Sequence, residues 1–131
     1  MDAILEPIHV MFVKAVGGTS GAPHAFDTLE SKLPSLRGRK FYATYDPLTK
    51  EYRACVQTLP GEEAKSFGLE SGTIPGGKFV KKKVTDWQSK IPQLPGIVYE
   101  MATGRRVDPT RPTVEFYRSS SELILYLPVQ E

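Results

Sequence analysis

Pro112-Thr113-Val114-Glu115-Phe116-Tyr117-Arg118 is answered, a short polar run later, by Leu123-Ile124-Leu125-Tyr126-Leu127-Pro128. The second run is almost wholly apolar and the first is rich in branched and aromatic residues, so both read as β-strands. Side chains alternate faces along a strand. Glu115 therefore shares a face with Thr113 and Tyr117, while Val114, Phe116 and Arg118 point the other way. A lone carboxylate among aromatic residues is costly to desolvate unless it gains a partner. Two arrangements satisfy it: a solvent-facing sheet surface, or an aromatic-walled cup whose one anion meets a cationic or hydrogen-bonding ligand. The connection around Ser119-Ser120-Ser121 decides where Tyr126 lies. A two- or four-residue loop puts it on the side of Glu115, a three-residue loop on the opposite side.

Upstream, this hairpin is the end of a repeated order. Ile8 to Val16 reads as a strand, broken by Gly17-Gly18-Thr19-Ser20-Gly21, which reads as a flexible strand-to-helix connection. Pro23 suits a first helical turn, Phe26, Leu29 and Leu33 have the spacing of one helical face, and Pro34 and Gly38 end the helix. Phe41 to Tyr45 and Glu51 to Leu59 follow as strands around the turn Asp46-Pro47-Leu48-Thr49-Lys50. A polar connector from Pro60 reaches about Ser71. A strand over Ser71 to Val84 comes next, entered through Ile74-Pro75-Gly76-Gly77. A helical region between Asp86 and Gly104 carries Leu94, Ile97, Val98 and Met101 as its inner face, and Pro92 and Pro95-Gly96 delay its start to near Pro95. The closing hairpin completes the second copy. The chain thus reads as one α+β domain over 1–131, with β-α-β-β units at about 6–60 and about 71–130. The two units join one antiparallel sheet with both helices on one face and a ligand groove between the halves.

The 131 residues suffice for one buried core. With 17 Lys+Arg against 15 Asp+Glu, the net charge of +2 gives no electrostatic case for a nucleic-acid or membrane partner. Lys81-Lys82-Lys83 alternates faces in a strand and makes no single patch. One cysteine excludes an internal disulfide framework, and neither a leader nor a membrane-length apolar run is visible, so the expected location is cytoplasmic.

Several chemistries find no support. The Gly17–Gly21 loop lacks the Lys-Ser/Thr of a phosphate-binding loop and the spacing of a dinucleotide fold. His9, His24 and Cys55 do not make a zinc site, and no metal or cofactor is expected. Cys55, between Ala54 and Val56, reads as a buried inert thiol. No serine-hydrolase elbow is present.

Taken in order, Ile74-Pro75-Gly76-Gly77-Lys78-Phe79-Val80, a helical region, Pro112-Thr113-Val114-Glu115-Phe116-Tyr117 and Leu125-Tyr126-Leu127-Pro128-Val129 resemble the GyrI-like small-molecule-binding domain. That family also supplies the effector-binding domains of bacterial multidrug-responsive transcription regulators. The resemblance covers Gly72 to Val129 by motif and the first half by architecture, through Phe41-Tyr42 and Tyr52. It implies a pseudo-two-fold pair of β-α-β-β units that binds cationic aromatic compounds between its halves. It makes Glu115 the acidic centre and places Tyr126, Trp87, Tyr42 and Tyr52 as ligand-binding aromatics, with Tyr126 on the side of Glu115.

The resulting expectation is a stand-alone protein, monomeric or weakly dimeric, that captures hydrophobic, cationic small molecules. Neither end has room for a helix-turn-helix module, so a regulatory role would call for a separate DNA-binding partner. Two alternatives remain open. One is a hydrolase of strained electrophilic natural products, with Glu115 as the catalytic group. The other is a gyrase-inhibitor-like protein-interaction module.

Overall fold

The alternating and helical patterns resolve, in a computed structural model that describes residues 2–130, into eight strands and two helices. In chain order these are β1 (Asp2–Leu5), β2 (Ile8–Lys14), α1 (Ala22–Ser31), β3 (Phe41–Asp46), β4 (Glu51–Gln57), β5 (Glu70–Ile74), β6 (Gly77–Thr85), α2 (Leu94–Ala102), β7 (Thr113–Tyr117) and β8 (Glu122–Pro128). All strands join one antiparallel α+β sheet in the order β1-β6-β8-β7-β3-β4-β2-β5. Replacing each strand by the one four places on returns the same order read backwards. The sheet therefore has a pseudo-two-fold axis between β7 and β3. In that central ladder Phe41 opposes Tyr117 and Tyr45 opposes Thr113, so the middle pair is Ala43 with Glu115.

Two departures from the sequence reading have one cause. Ser71 to Val84 is two strands rather than one, and a further strand, β1, precedes Ile8. β1 pairs with β6, and β5 with β2, in one continuous register: Asp2 with Val80, Leu5 with Gly77, Ile8 with Ile74, Phe12 with Glu70. Pro7 and Pro75 cannot donate to a ladder, so both chains break where they cross. At Gly76 an added Cβ would lie 2.5 Å from the Leu5 carbonyl oxygen, so only glycine permits the crossing. The four residues of β1 are too few to show a period; their strand exists because β6 is there to pair with. The crossing stitches the two ends of the sheet together and curls it into a half-barrel.

Both helices lie on the outer face. Ala25, Leu29 and the trailing Leu33 pack on Met11, Ala54 and Val56. Leu94, Ile97, Val98 and Met101 pack on Val84, Leu123 and Leu125. Ala54 opposes Ala43, Ala43 opposes Glu115 and Glu115 opposes Leu125, so these floors share one face and Glu115 lies between the helices. Each fully buried leucine contributes roughly 1.5–3 kcal/mol. The hollow face is filled by a separate cluster that includes Val10, Phe12, Tyr42, Cys55, Ile74, Phe79 and Val114. The glycine-rich run after β2 is a tight 3-10 turn, Gly18–Gly21, rather than a flexible connection. A Cβ at Gly21 would fall 2.1 Å from the Val16 carbonyl oxygen. Ahead of α2, Trp87–Gln93 forms a 3-10 turn containing Pro92, and Pro95 sits in the first turn of the helix. Among the described residues no helix is long and apolar enough to cross a membrane.

Arg111 locks the closed end of the half-barrel. Its guanidinium donates to Asp108 and to the carbonyls of Gly76, Lys78 and Val129, and lies 4.7 Å from the Phe79 ring centre. Replacing it by methionine keeps the stem and strands three carbonyls. Arg111→Met should cost about 1–3 kcal/mol, the scale of leaving part-buried carbonyls without donors, read as a lowered denaturation midpoint.

Candidate functional site: a carboxylate between two helices

Glu115 stands on the axis strand β7, opposite the small Ala43. Tyr52, on β4, reaches diagonally across β3, where Ala43 leaves room for its ring. Its hydroxyl donates to Glu115 Oε1 at 2.9 Å. Tyr117, two residues along β7, donates to the same oxygen at 2.5 Å. Each hydroxyl has one proton, and both are committed to Oε1, so the 3.2 Å approach between the two hydroxyl oxygens is a contact within this trio. Oε2 accepts no hydrogen bond among the described residues and is not a buried atom. The carboxylate is held by one oxygen and open at the other.

Rings surround it. Phe26 of α1 meets Tyr117 edge-on at 5.3 Å, and Trp87 meets the same tyrosine at 5.1 Å. The Trp87 indole donates to the Ser119 carbonyl at 3.1 Å and Gln88 to that of Ser120 at 3.0 Å, tying the 3-10 turn to the β7–β8 connection. Asp86, at φ 52, turns the chain into this segment. Burial, then the Glu115 charge, raises the pKa of Tyr52 and of Tyr117 far above the ordinary tyrosine value. Both hold their protons to higher pH than an ordinary tyrosine.

The sequence-derived residues divide between two faces. Glu115, Tyr52 and Trp87 come together on the helix face, whereas Tyr126 and Tyr42 lie on the hollow face. Tyr126 opposes Val114, and Tyr42 opposes Phe116 and stacks on it at 4.8 Å. The expectation that Tyr126 sits beside Glu115 is overturned. The register runs Tyr117 with Leu123, and Ser119 N bonds Glu122 O, so the turn proper is the three residues Ser119-Ser120-Ser121, the odd length that inverts the face. Burial and the nearby Tyr126 raise the pKa of Tyr42. Two site residues were not singled out from the sequence. Tyr117 was legible two positions from Glu115 on one face, but Phe26 was read only as helix core. Cys55 is 1 % exposed, and its thiol is pushed up to about 12, first by burial. His9 is exposed, on β2 opposite Thr73. Among the described residues no group of three or more His, Cys, Asp and Glu is placed to hold a metal ion.

Two cavities lie away from Glu115. One of about 550 Å³ runs beside β5, between His9, Thr73 and the connector at Glu63. One of about 170 Å³ lies in the hollow of the half-barrel. Neither is lined by Glu115, Tyr52, Tyr117, Phe26 or Trp87, and the chemistry at Glu115 resides in Oε2.

No family profile matches the chain, and no curated protein matches it in sequence. Solved structures do share its fold. An integron cassette protein from Vibrio cholerae superposes with TM-score 0.76 at 13% identity, over 99% of this chain and 95% of that one. The protein SAV2435, solved bound to tetraphenylphosphonium, gives 0.63 at 10%, over 99% and 93%. A hydrolase from Listeria innocua gives 0.62 at 13%, over 99% and 90%.

Because Tyr52 and Tyr117 hold their protons to higher pH in the folded chain than in the unfolded one, the stability they bring is complete below about pH 10 and falls as pH rises past it. Tyrosinate absorbance should show this directly. In the double variant Tyr52→Phe, Tyr117→Phe, the signal gained before alkaline unfolding should match the parent, and only the step gained on unfolding should shrink.

Proposed function

We propose that this chain captures lipophilic aromatic cations between its two helices, with Glu115 as the counter-ion. The carrying observation is the carboxylate whose Oε2 is open while Oε1 is fixed by Tyr52 and Tyr117, in a setting of the Phe26, Trp87 and Tyr117 rings. A delocalised cation gains twice there. It pairs with the carboxylate, and each well-placed ring face adds roughly 0.5–2 kcal/mol. The two hydroxyls keep the anion hydrogen-bonded while the ligand displaces water from it, which removes the main cost of burying it. Flat walls constrain shape loosely, so several planar cations are accepted. SAV2435, of like fold, was solved with tetraphenylphosphonium, a lipophilic aromatic cation. The role is that of a receptor or a sequestering protein.

Trp87, the one tryptophan, borders the site and reports on it. Tetraphenylphosphonium should quench its fluorescence saturably. Glu115→Gln should weaken binding by about tenfold or more, the scale of one charge pair at 1.4 kcal/mol per decade, with the circular-dichroism spectrum unchanged. Neutral triphenylphosphine oxide should bind the parent and Glu115→Gln alike. Equal tetraphenylphosphonium affinity in parent and variant would refute Glu115 as the counter-ion.

A second reading rests on the same trio. Glu115, held through Oε1 by Tyr52 and Tyr117, has its other oxygen free to orient and activate a water, the part needed to open a strained electrophile. A structural neighbour is a hydrolase. Incubation with a strained-ring alkylating compound separates the readings: a hydrolase returns the water adduct, and Glu115→Gln and Tyr117→Phe both abolish it. A capture protein returns the compound unaltered.

A further inference from the structure

The hollow of the half-barrel has chemistry of its own. Its cavity of about 170 Å³ is smaller than the roughly 300–1,000 Å³ of drug-sized sites. Val10, Ile74 and Cys55, all buried, form an apolar floor, and Thr44, 7 % exposed, adds a hydroxyl. Three charged side chains border it: Asp46, Glu51 and Arg53. Arg53 is fixed in place. Its guanidinium lies 4.2 Å from the Phe12 ring centre, and Nε donates to Glu51. Phe12 also lies close against Gly72, where a Cβ would come within 2.9 Å of the ring and 3.7 Å of Arg53 Nη1. With Nε spent, Arg53 Nη1 and Nη2 make no hydrogen bond among the described residues. Asp46 spends Oδ1 on the Leu48 amide, and Oδ2 has no such partner.

We propose that this hollow is a second small-molecule site, separate from Glu115, built for a small zwitterion with a short apolar chain, the chemistry of an apolar α-amino acid. The two free guanidinium nitrogens offer the forked pair of donors that a carboxylate accepts side by side. Oδ2 of Asp46, across the same rim, accepts an ammonium group, while Glu51 is already paired through Oε2 with Arg53 and through Oε1 with Lys14 Nζ at 3.6 Å. The apolar floor takes a branched chain. The charges discriminate by their mixture. A simple anion meets Asp46 and Glu51, a simple cation meets Arg53, and a neutral alkane leaves the rim groups without partners as it drives off their water. Only a ligand with both charges next to an apolar end satisfies all three elements. The site lies on the hollow side of the sheet, whereas Glu115 lies on the helix side, so the two can be occupied independently.

The test is a nitrogen–proton correlation spectrum of the full chain titrated with L-leucine to millimolar concentration. Saturable shifts are expected at the amides of Thr44, Arg53, Cys55 and Ile74. Isovalerate and isoamylamine, which share the chain but carry one charge each, should bind about tenfold more weakly or less well still. Arg53→Met, which keeps the cover over Phe12, should abolish the leucine shifts. Asp46→Asn, at a strand end, should weaken them by itself, and both variants should keep tetraphenylphosphonium binding as in the parent. Absence of saturable leucine shifts, equal binding of either singly charged analogue, or undiminished binding in a folded Arg53→Met or Asp46→Asn protein would overturn the proposal.

Discussion

The arrangement depends on one pairing, Glu115 opposite Ala43 at the middle of the central ladder. A carboxylate in a sheet flanked by two apolar helices must be compensated or the fold loses several kcal/mol to its desolvation. Compensation comes from two tyrosine hydroxyls, one of which reaches across β3 on the face where the residue opposite Glu115 is the small Ala43. The pseudo-two-fold would place equivalent side chains at both positions of this pair. The chain places an acid on one strand and the smallest chiral residue on the other, and so makes a single anion on an axis where symmetry would otherwise put two like groups in contact. The energetic requirement and the functional one coincide, since the hydroxyls that make the anion tolerable use up one oxygen and leave the second for a ligand.

The duplicated scaffold keeps its symmetry where it is structural and gives it up where it is chemical. Arg39 stands two residues ahead of β3 and Arg111 two residues ahead of β7. Both are well covered and both anchor the start of their strand, yet their partners differ. Arg39 makes a two-pronged pair with Glu62, and Arg111 grips the carbonyls of Gly76, Lys78 and Val129. A guanidinium in that place serves either partner because its fork of donors fits a carboxylate and a set of carbonyls equally well. The position is a scaffold feature; the partner belongs to each half.

The order of strands and helices was legible because each long element carries its own period, as Phe26, Leu29 and Leu33 do for α1 and Thr113 to Tyr117 do for β7. β1 and the break at Pro75-Gly76 were not. Both are products of pairing between residues about seventy apart in sequence, and neither leaves a local period. The site divides along the same line. Glu115 and Tyr117 could be read together, being two residues apart on one strand. The reach of Tyr52 across β3 follows from register, and the displacement of Tyr126 and Tyr42 to the other face follows from a turn of three residues rather than two or four. A tyrosine in a strand announces a face only relative to its neighbours.

That dependence on register also explains why one short strand can serve two surfaces. Odd-numbered residues of β7 face the helices and carry the acid with its tyrosine. Even-numbered residues, Val114 and Phe116, face the hollow and pack with Tyr42 and Tyr126. A slip of one residue would bury the carboxylate in the half-barrel core and push two apolar side chains between the helices. The crossing of β1–β2 with β5–β6 opposes such a slip, because it fixes both ends of the sheet through one unbroken register. The strand farthest from the chemistry in sequence, β1, therefore helps hold Glu115 on its proper face. The helix side and the hollow side remain chemically distinct because the ends of the sheet are tied together.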